Sequence, residues 1–262
     1  MWAMLMVGAA AVMIVMTLLW GLGVRQRNFS YVDLGWAGNF MLLALLYAVM
    51  GEGDVIRRIV LSSMYVLWSL RLTLHLATRI IGEPEEGRYV QLRSEWGTQG
   101  NLNLKFLGFF QFQAVLNIFL ALPLLLVSMN ASPSLHGLEI VGITVWVIAL
   151  LGETVADAQL KKFKKDPNNQ GKVCDVGLWS WSRHPNYFFE WIIWVSYAVF
   201  ALASPWGWLS LGLPVLMLHF LLNVTGIKAT EEQALRSKGE AYRQYQREVS
   251  AFIPLPRKKV SS

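Results

Sequence analysis

Long apolar runs recur along the whole chain, and they constrain its fold more than any motif does. A helix that crosses a bilayer needs about 20 mostly apolar residues. Seven stretches approach that description, at about 2–24, 35–50, 55–80, 105–129, 137–157, 187–204 and 206–226. Lipid offers no partners to an open backbone, so runs of this length read as helices rather than as strands or loops. The fold class expected is an all-α integral membrane protein with seven transmembrane helices. Only 15% of the 262 residues are charged, where soluble domains carry roughly a quarter, and a soluble fold is excluded on that ground.

Lys and Arg set the orientation, because they collect on the cytoplasmic side. Arg25 and Arg27 follow the first run, and Arg79, Arg88, Arg93 and Lys105 follow the third. Lys161, Lys162, Lys164, Lys165, Lys172 and Arg183 follow the fifth, and the tail is basic as well. The connections around 130–136 and 204–207 have none. The N-terminus is therefore expected outside and the C-terminus in the cytoplasm, the membrane being the inner one for a bacterial chain. Arg57 and Arg58 break the pattern and are expected to snorkel from the start of the third helix. The first run has its basic residues after it, so it reads as a retained helix and not as a cleavable signal. The net charge of +6 follows from the same bias and calls for no nucleic acid. Cys174 is the single cysteine and the four histidines are scattered, so neither a disulfide nor a metal set is expected. Residues 1–262 read as one polytopic domain, with the tail from Lys228 to Ser262 forming one amphipathic helix and an end.

Charge inside a membrane helix is expensive unless it faces protein or a wet cavity. Four groups of polar residues stand out on that criterion. Arg71, His75 and Arg79 are spaced by four on the third run; Glu153, Asp157, Lys161 and Lys164 form a stripe leaving the fifth. Residues four apart share a helix face. Asn186 and Glu190 do so directly after Arg183-His184-Pro185, where the proline suits a helix start. Asp33, with Tyr31 and Trp36, opens the second helix. In the expected topology all four groups lie at cytoplasmic ends, which describes one polar chamber opening to the cytosol. Neither GxGxxG nor GxxxxGK[ST] occurs, so a nucleotide would have to lie among the helices. The plainer alternatives are interfacial anchors for Arg79, Lys161 and Lys164, and ion pairs between helices for Glu153 and Glu190.

The C-terminal half resembles the membrane steroid 5α-reductase family. The residues that carry the likeness are Gly177-Leu178-Trp179, Asn186-Tyr187 and Glu190-Trp191, then Tyr242-x-x-Tyr245 and Phe252-Ile253-Pro254. It covers about 150–256, a reductase-like cofactor-binding region, and only weakly the N-terminal third. The resemblance implies NADPH held among helices and reduction of a 3-oxo-Δ4-steroid or similar lipophilic enone. It places Asn186, Tyr187 and Glu190 at the nicotinamide end. Asp157, Lys164 and Arg71 fall with the ribose and phosphates, Arg183 and His184 at phosphate or interface, and Tyr242 or Tyr245 near the adenosine, while His75, Arg79 and Glu153 join them as cofactor-binding candidates. The family's Gln-Glu doublet at the substrate carbonyl is absent; Asp33 with Tyr31, and Tyr65 or Trp68, stand nearest to it. As a neutral acid in an apolar cavity, Asp33 could donate to the developing oxyanion.

Two rival readings remain. Arg183-His184-Pro185-x-Tyr187, Glu231-Glu232 and the Tyr-x-x-Tyr tail also resemble isoprenylcysteine carboxyl methyltransferases, which implies S-adenosylmethionine instead of NADPH. A non-enzymatic seven-helix receptor is the other; a retinal protein would need a lysine in its last helix, and 206–226 contains none.

Overall fold

The structure, a computed structural model, describes residues 1–97, 100–224 and 226–258. Eleven α-helices occur among them. They are α1 Trp2–Gln26, α2 Tyr31–Met50, α3 Val55–Ile80, α4 Gly87–Trp96, α5 Leu102–Leu120, α6 Leu122–Val127, α7 Gly137–Lys165, α8 Pro185–Ala201, α9 Gly212–His219, α10 Ile227–Lys238 and α11 Glu240–Glu248. No strand is present among the described residues; Ser182 and Ser250 make one isolated parallel bridge.

Five helical stretches are long and apolar enough to cross a membrane: Trp2–Gln26, Tyr31–Met50, Val55–Ile80, Gly137–Lys165 and Gly207–Val224. The other two expected spans come out differently. The run at 105–129 is divided at Ala121 into α5 and α6, with Pro123 in the first turn of α6. Proline lacks the N–H that a continuous helix would need there. The Tyr65 hydroxyl donates to the Leu120 carbonyl at the break, 3.2 Å away. The run at 187–204 is α8, which has 17 residues.

The chain divides into two compact units. The first comprises Met1–His136 and Ala203–Gly207, the second Gly137–Leu202 and Trp208–Ser262. In the first, α1, α2, α3 and α5 pack side by side. α1 ends on Arg27 in the left-handed conformation (φ 55°), and the Asn28 N–H returns to the Gly23 carbonyl at 2.9 Å. That closes the last turn and lets α2 run back against α1. Arg57 does not snorkel. It is buried, and its guanidinium donates to the Ser132 and Ser134 carbonyls, each at 2.6 Å. Loop carbonyls inside the protein offered it better partners than the interface did.

In the second unit α7 and α8 pack along their length, and the tail folds back beneath them. The tail is two helices rather than one. Gly239, at φ 55°, ends α10 and starts α11, a conformation that a residue with a Cβ adopts at a cost. The turn lets Tyr242, Tyr245 and Val249 form a small buried core with Val173, Ala234 and Leu235. Residues 259–262 of the expected tail lie outside the described residues.

Candidate functional site

The start of α8 is densely bonded to α7 and to the returning tail. Gly177 (φ 58°) turns the chain after α7, and Leu178 N–H and Trp179 Nε1 bond back to α7 at Gln159 Oε1 and the Ala156 carbonyl, both 2.9 Å. The chain then runs through His184 (φ −139°, ψ 60°) into Pro185 at the first turn of α8. The returning tail pairs with this piece. Arg183 N–H donates to the Ser250 carbonyl (2.8 Å), Ser182 Oγ to that of Phe252 (2.8 Å), and Leu255 N–H to that of Trp181 (2.9 Å). Tyr245 Oη donates to the Trp179 carbonyl.

Arg183 and Glu231 join these pieces. Arg183 Nε donates to Glu231 Oε1 at 2.5 Å, and Nη1 donates to the Gln246 and Val249 carbonyls at 3.0 and 2.6 Å. Those carbonyls close α11, where a helix leaves acceptors unsatisfied and favours a cation. Glu231 Oε2 accepts from Gln246 Nε2 at 2.9 Å, while His184 Nε2 lies 3.3 Å and Tyr242 Oη 3.5 Å from Oε1. Burial pushes the Glu231 carboxyl up, but hydrogen bonds from His184 and Arg183, the Arg183 charge and the Gln246 amide outweigh it and hold it at about 2. The buried His184 ring stacks on Tyr187 (5.5 Å, 4°), whose hydroxyl is 3.5 Å from Thr230 Oγ1 on α10. The residues expected at phosphate or interface, Arg183 and His184, thus lie inside the fold and hold the tail. Tyr242 and Tyr245 are buried with them.

One turn further in, Asn186 Nδ2 donates to Asp157 Oδ1 at 3.3 Å. A carboxylate accepts only, so this contact fixes the amide with its oxygen facing away from Asp157. Asn186 Oδ1 is buried and has no hydrogen-bond partner among the described residues. Glu190 follows at i+4 on the same helix face, half-buried, and Glu153 is buried one turn before Asp157 on α7. Lys164 is exposed near the end of α7. Asn186, Asp157, Glu153 and Glu190 are therefore carried by two packed helices of one unit.

The other expected site residues belong to the first unit. Asp33 accepts from Tyr89 Oη at 2.7 Å and from Arg88 Nη2. Arg88 Nε also lies 3.6 Å from Glu86, which pairs with Arg79 at 2.7 Å. Glu85 holds Arg93 at 2.9 Å and accepts from Phe29 N–H at 2.7 Å. Segment 83–96 thereby straps across the turn between α1 and α2. Burial and the Asp33 charge push the Tyr89 hydroxyl well up, so it stays protonated. Behind Asp33, Trp36, Phe40, Tyr65 and Trp68 form an aromatic cluster with ring centroids 5.2–6.3 Å apart. Tyr31, Arg71 and His75 are half-buried on α2 and α3.

Sequence reasoning missed Arg88, Tyr89 and the central place of Glu231. Spacing pointed to Tyr31 as the neighbour of Asp33, yet residues two apart on a helix face different ways. Among the described residues no group of three or more His, Cys, Asp or Glu side chains is placed to hold a metal ion.

Comparison with known proteins gives a family and two relatives. An uncharacterized protein of Schizosaccharomyces pombe is 26% identical over 283 aligned residues, covering 95% of this chain and 79% of that protein. The probable O-methyltransferase ustE of Ustilaginoidea virens is 44% identical over 46 residues, 18% of this chain and 16% of that protein. No solved structure matches the chain. The family described as "Protein of unknown function (DUF1295)" matches residues 19–249, and the chain belongs to that family.

Proposed function

We propose that this protein is an NADPH-dependent membrane reductase that saturates the C4–C5 double bond of a 3-oxo-Δ4-steroid or a similar lipophilic enone. The observation that carries the reading is Asn186. Its amide is oriented by Asp157, and its oxygen is a buried acceptor with no partner among the described residues. An unsatisfied buried acceptor costs about 1–3 kcal/mol, and the carboxamide N–H of a nicotinamide has the chemistry to satisfy it. Glu190, at i+4, offers a second acceptor on the same face. Lys164, on α7 of the same unit, is the cation for the ribose and phosphates. When bound, NADPH supplies the hydride for the β-carbon of the enone.

The chain's own residues have three tasks in this reading. Asp157 keeps the Asn186 oxygen turned toward its ligand. Asp33 and Tyr89 hold a proton between Oδ1 and Oη, and the Arg88 charge beside Asp33 favours keeping it on Tyr89. The donor role expected of Asp33 is thus shared with Tyr89, and the pair supplies the proton for the carbonyl oxygen. Trp36, Tyr65 and Trp68 give the apolar surroundings in which such a donor is most effective. The proposal includes seven crossings, the N-terminus outside and a site open to the cytoplasm, supported by the distribution of Lys and Arg.

A second reading is a membrane methyltransferase using S-adenosylmethionine. It is favoured by the 46-residue likeness to a probable O-methyltransferase. Arg183, His184 and Glu231, which carry the methyltransferase resemblance, also meet at one point. Titration of the purified protein with each cofactor, followed by tryptophan fluorescence, separates the two. The reductase reading expects NADPH binding that weakens roughly tenfold or more in Asn186→Ala. Saturable S-adenosylmethionine binding with none of NADPH overturns it.

A further inference from the structure

A groove of about 550 Å³ opens on the second unit, lined by Val155, Gln159, Leu178, Trp181, Phe189 and Pro254 among others. Its size is that of a small-molecule site. Residues 155 and 159 lie roughly opposite Asp157 on the turn of α7, so on that helix the groove and the Asn186 site take different faces. Its walls grade along α7. Val155 and Phe189 are apolar, Gln159 lies one turn on, and Lys162 follows three residues later on the same face. From Val155 to Lys162 the helix rises about 10 Å. Trp181 is 51% exposed at the rim, the position an amphipathic ring takes at a membrane surface.

Gln159 gives the groove its chemistry. Its Oε1 accepts from Leu178 N–H at 2.9 Å, which leaves Nε2 as the outward donor. Nε2 lies against Gly177, where a Cβ would come within 2.4 Å of it. Among the described residues Nε2 has no acceptor, and Lys162 has no carboxylate partner. A fixed amide donor at the end of an apolar trough, with a lysine beyond it, matches a chain that is greasy at one end and carries anionic oxygens at the other.

The geometry points to a bound anionic glycerophospholipid, one acyl chain along Val155, Phe189 and Trp181, with an ester or phosphate oxygen on Gln159 Nε2 and the headgroup charge at Lys162. A lysine near the membrane surface attracts anionic lipid headgroups. The site is independent of the cofactor reading. Native mass spectrometry of the delipidated full-length protein, with phosphatidylglycerol or phosphatidylcholine added back, tests it. The wild type should retain one phosphatidylglycerol. Gln159→Glu keeps the acceptor for Leu178 N–H while replacing the donor with an anion, and should lower that retention roughly tenfold. Trp181→Ala, at an exposed position, should lower it severalfold, and Lys162→Gln should remove the preference over phosphatidylcholine. Unchanged retention in both Gln159→Glu and Trp181→Ala, with circular dichroism matching the wild type, overturns the proposal. So does a wild type that holds no phospholipid, or one that holds only a different lipophile.

Discussion

Both units set a carboxylate against an arginine at a helix end, but at different depths. In the second, the Arg183 and Glu231 side chains are 10% and 15% exposed, and Arg183 also closes two helix carbonyls. In the first, Asp33 is as shielded as Glu231, at 16%, but its partner Arg88 is 44% exposed. Water reaches the Arg88–Asp33 pair from the arginine side and leaves it worth less. A shielded pair gains more from its partner, and removing one member strands the other. The Glu231 cluster should therefore hold its unit together, whereas the Asp33 strap should trim the position of a segment.

The largest effect follows from emptying the cluster. Arg183→Met leaves Glu231 half-buried without its ion pair and strips donors from the Gln246 and Val249 carbonyls. A loss of about 3–5 kcal/mol is expected, read as a fall in Tm of roughly 10 °C by scanning fluorimetry in detergent. Glu231→Gln keeps an acceptor and should lose about half as much. An Arg183→Met protein as stable as the wild type would erase the distinction between the two units.

Acid sharpens the same contrast. The Glu231 carboxyl is held at about 2, below its ordinary 4.5. A depressed carboxyl contributes its stability above the unfolded value and loses it as the pH falls toward the folded one. Stability should drop by about 2 kcal/mol between pH 4.5 and 2, after allowance for partial solvent screening. Denaturant titrations across that range should show the slope in the wild type and a flatter one in Glu231→Gln. Equal slopes would place the acid limb elsewhere.

What was legible beforehand follows from the range of each interaction. Apolar runs declare themselves locally, and five of the seven expected spans appear as helices of sufficient length. Pro185 and the Asn186–Glu190 spacing announced a helix start and a shared face. The break at Ala121 was written in Pro123, but a hydropathy window passes over one residue. The partners were harder. Arg183 and Glu231 are 48 residues apart, and Asp33 meets Tyr89 across 56. Nothing local says which member of Glu231-Glu232 turns inward, because either fits a half-exposed helix. Closure of the tail at Gly239 decided it.

The smallest effect tests the strap. Tyr89→Phe removes one hydrogen bond to Asp33, from a ring that is otherwise buried, and should destabilise the fold by about 1 kcal/mol. Arg88→Ala should lose less, since its guanidinium is half in water and its ion pair is screened. A double-mutant cycle of Arg88→Ala with Asp33→Asn isolates their coupling, provided each single change adds no new contact. The coupling expected is below about 1 kcal/mol, in the range of exposed pairs. Under the proposed function Tyr89→Phe should also lower turnover far more than it lowers stability, because the hydroxyl would share the donor proton with Asp33 as well as tether it. If turnover and stability fell in step, Tyr89 would be a strap residue alone. A coupling of several kcal/mol would put the Asp33 pair in the class of the Glu231 cluster, and depth would no longer separate the two units.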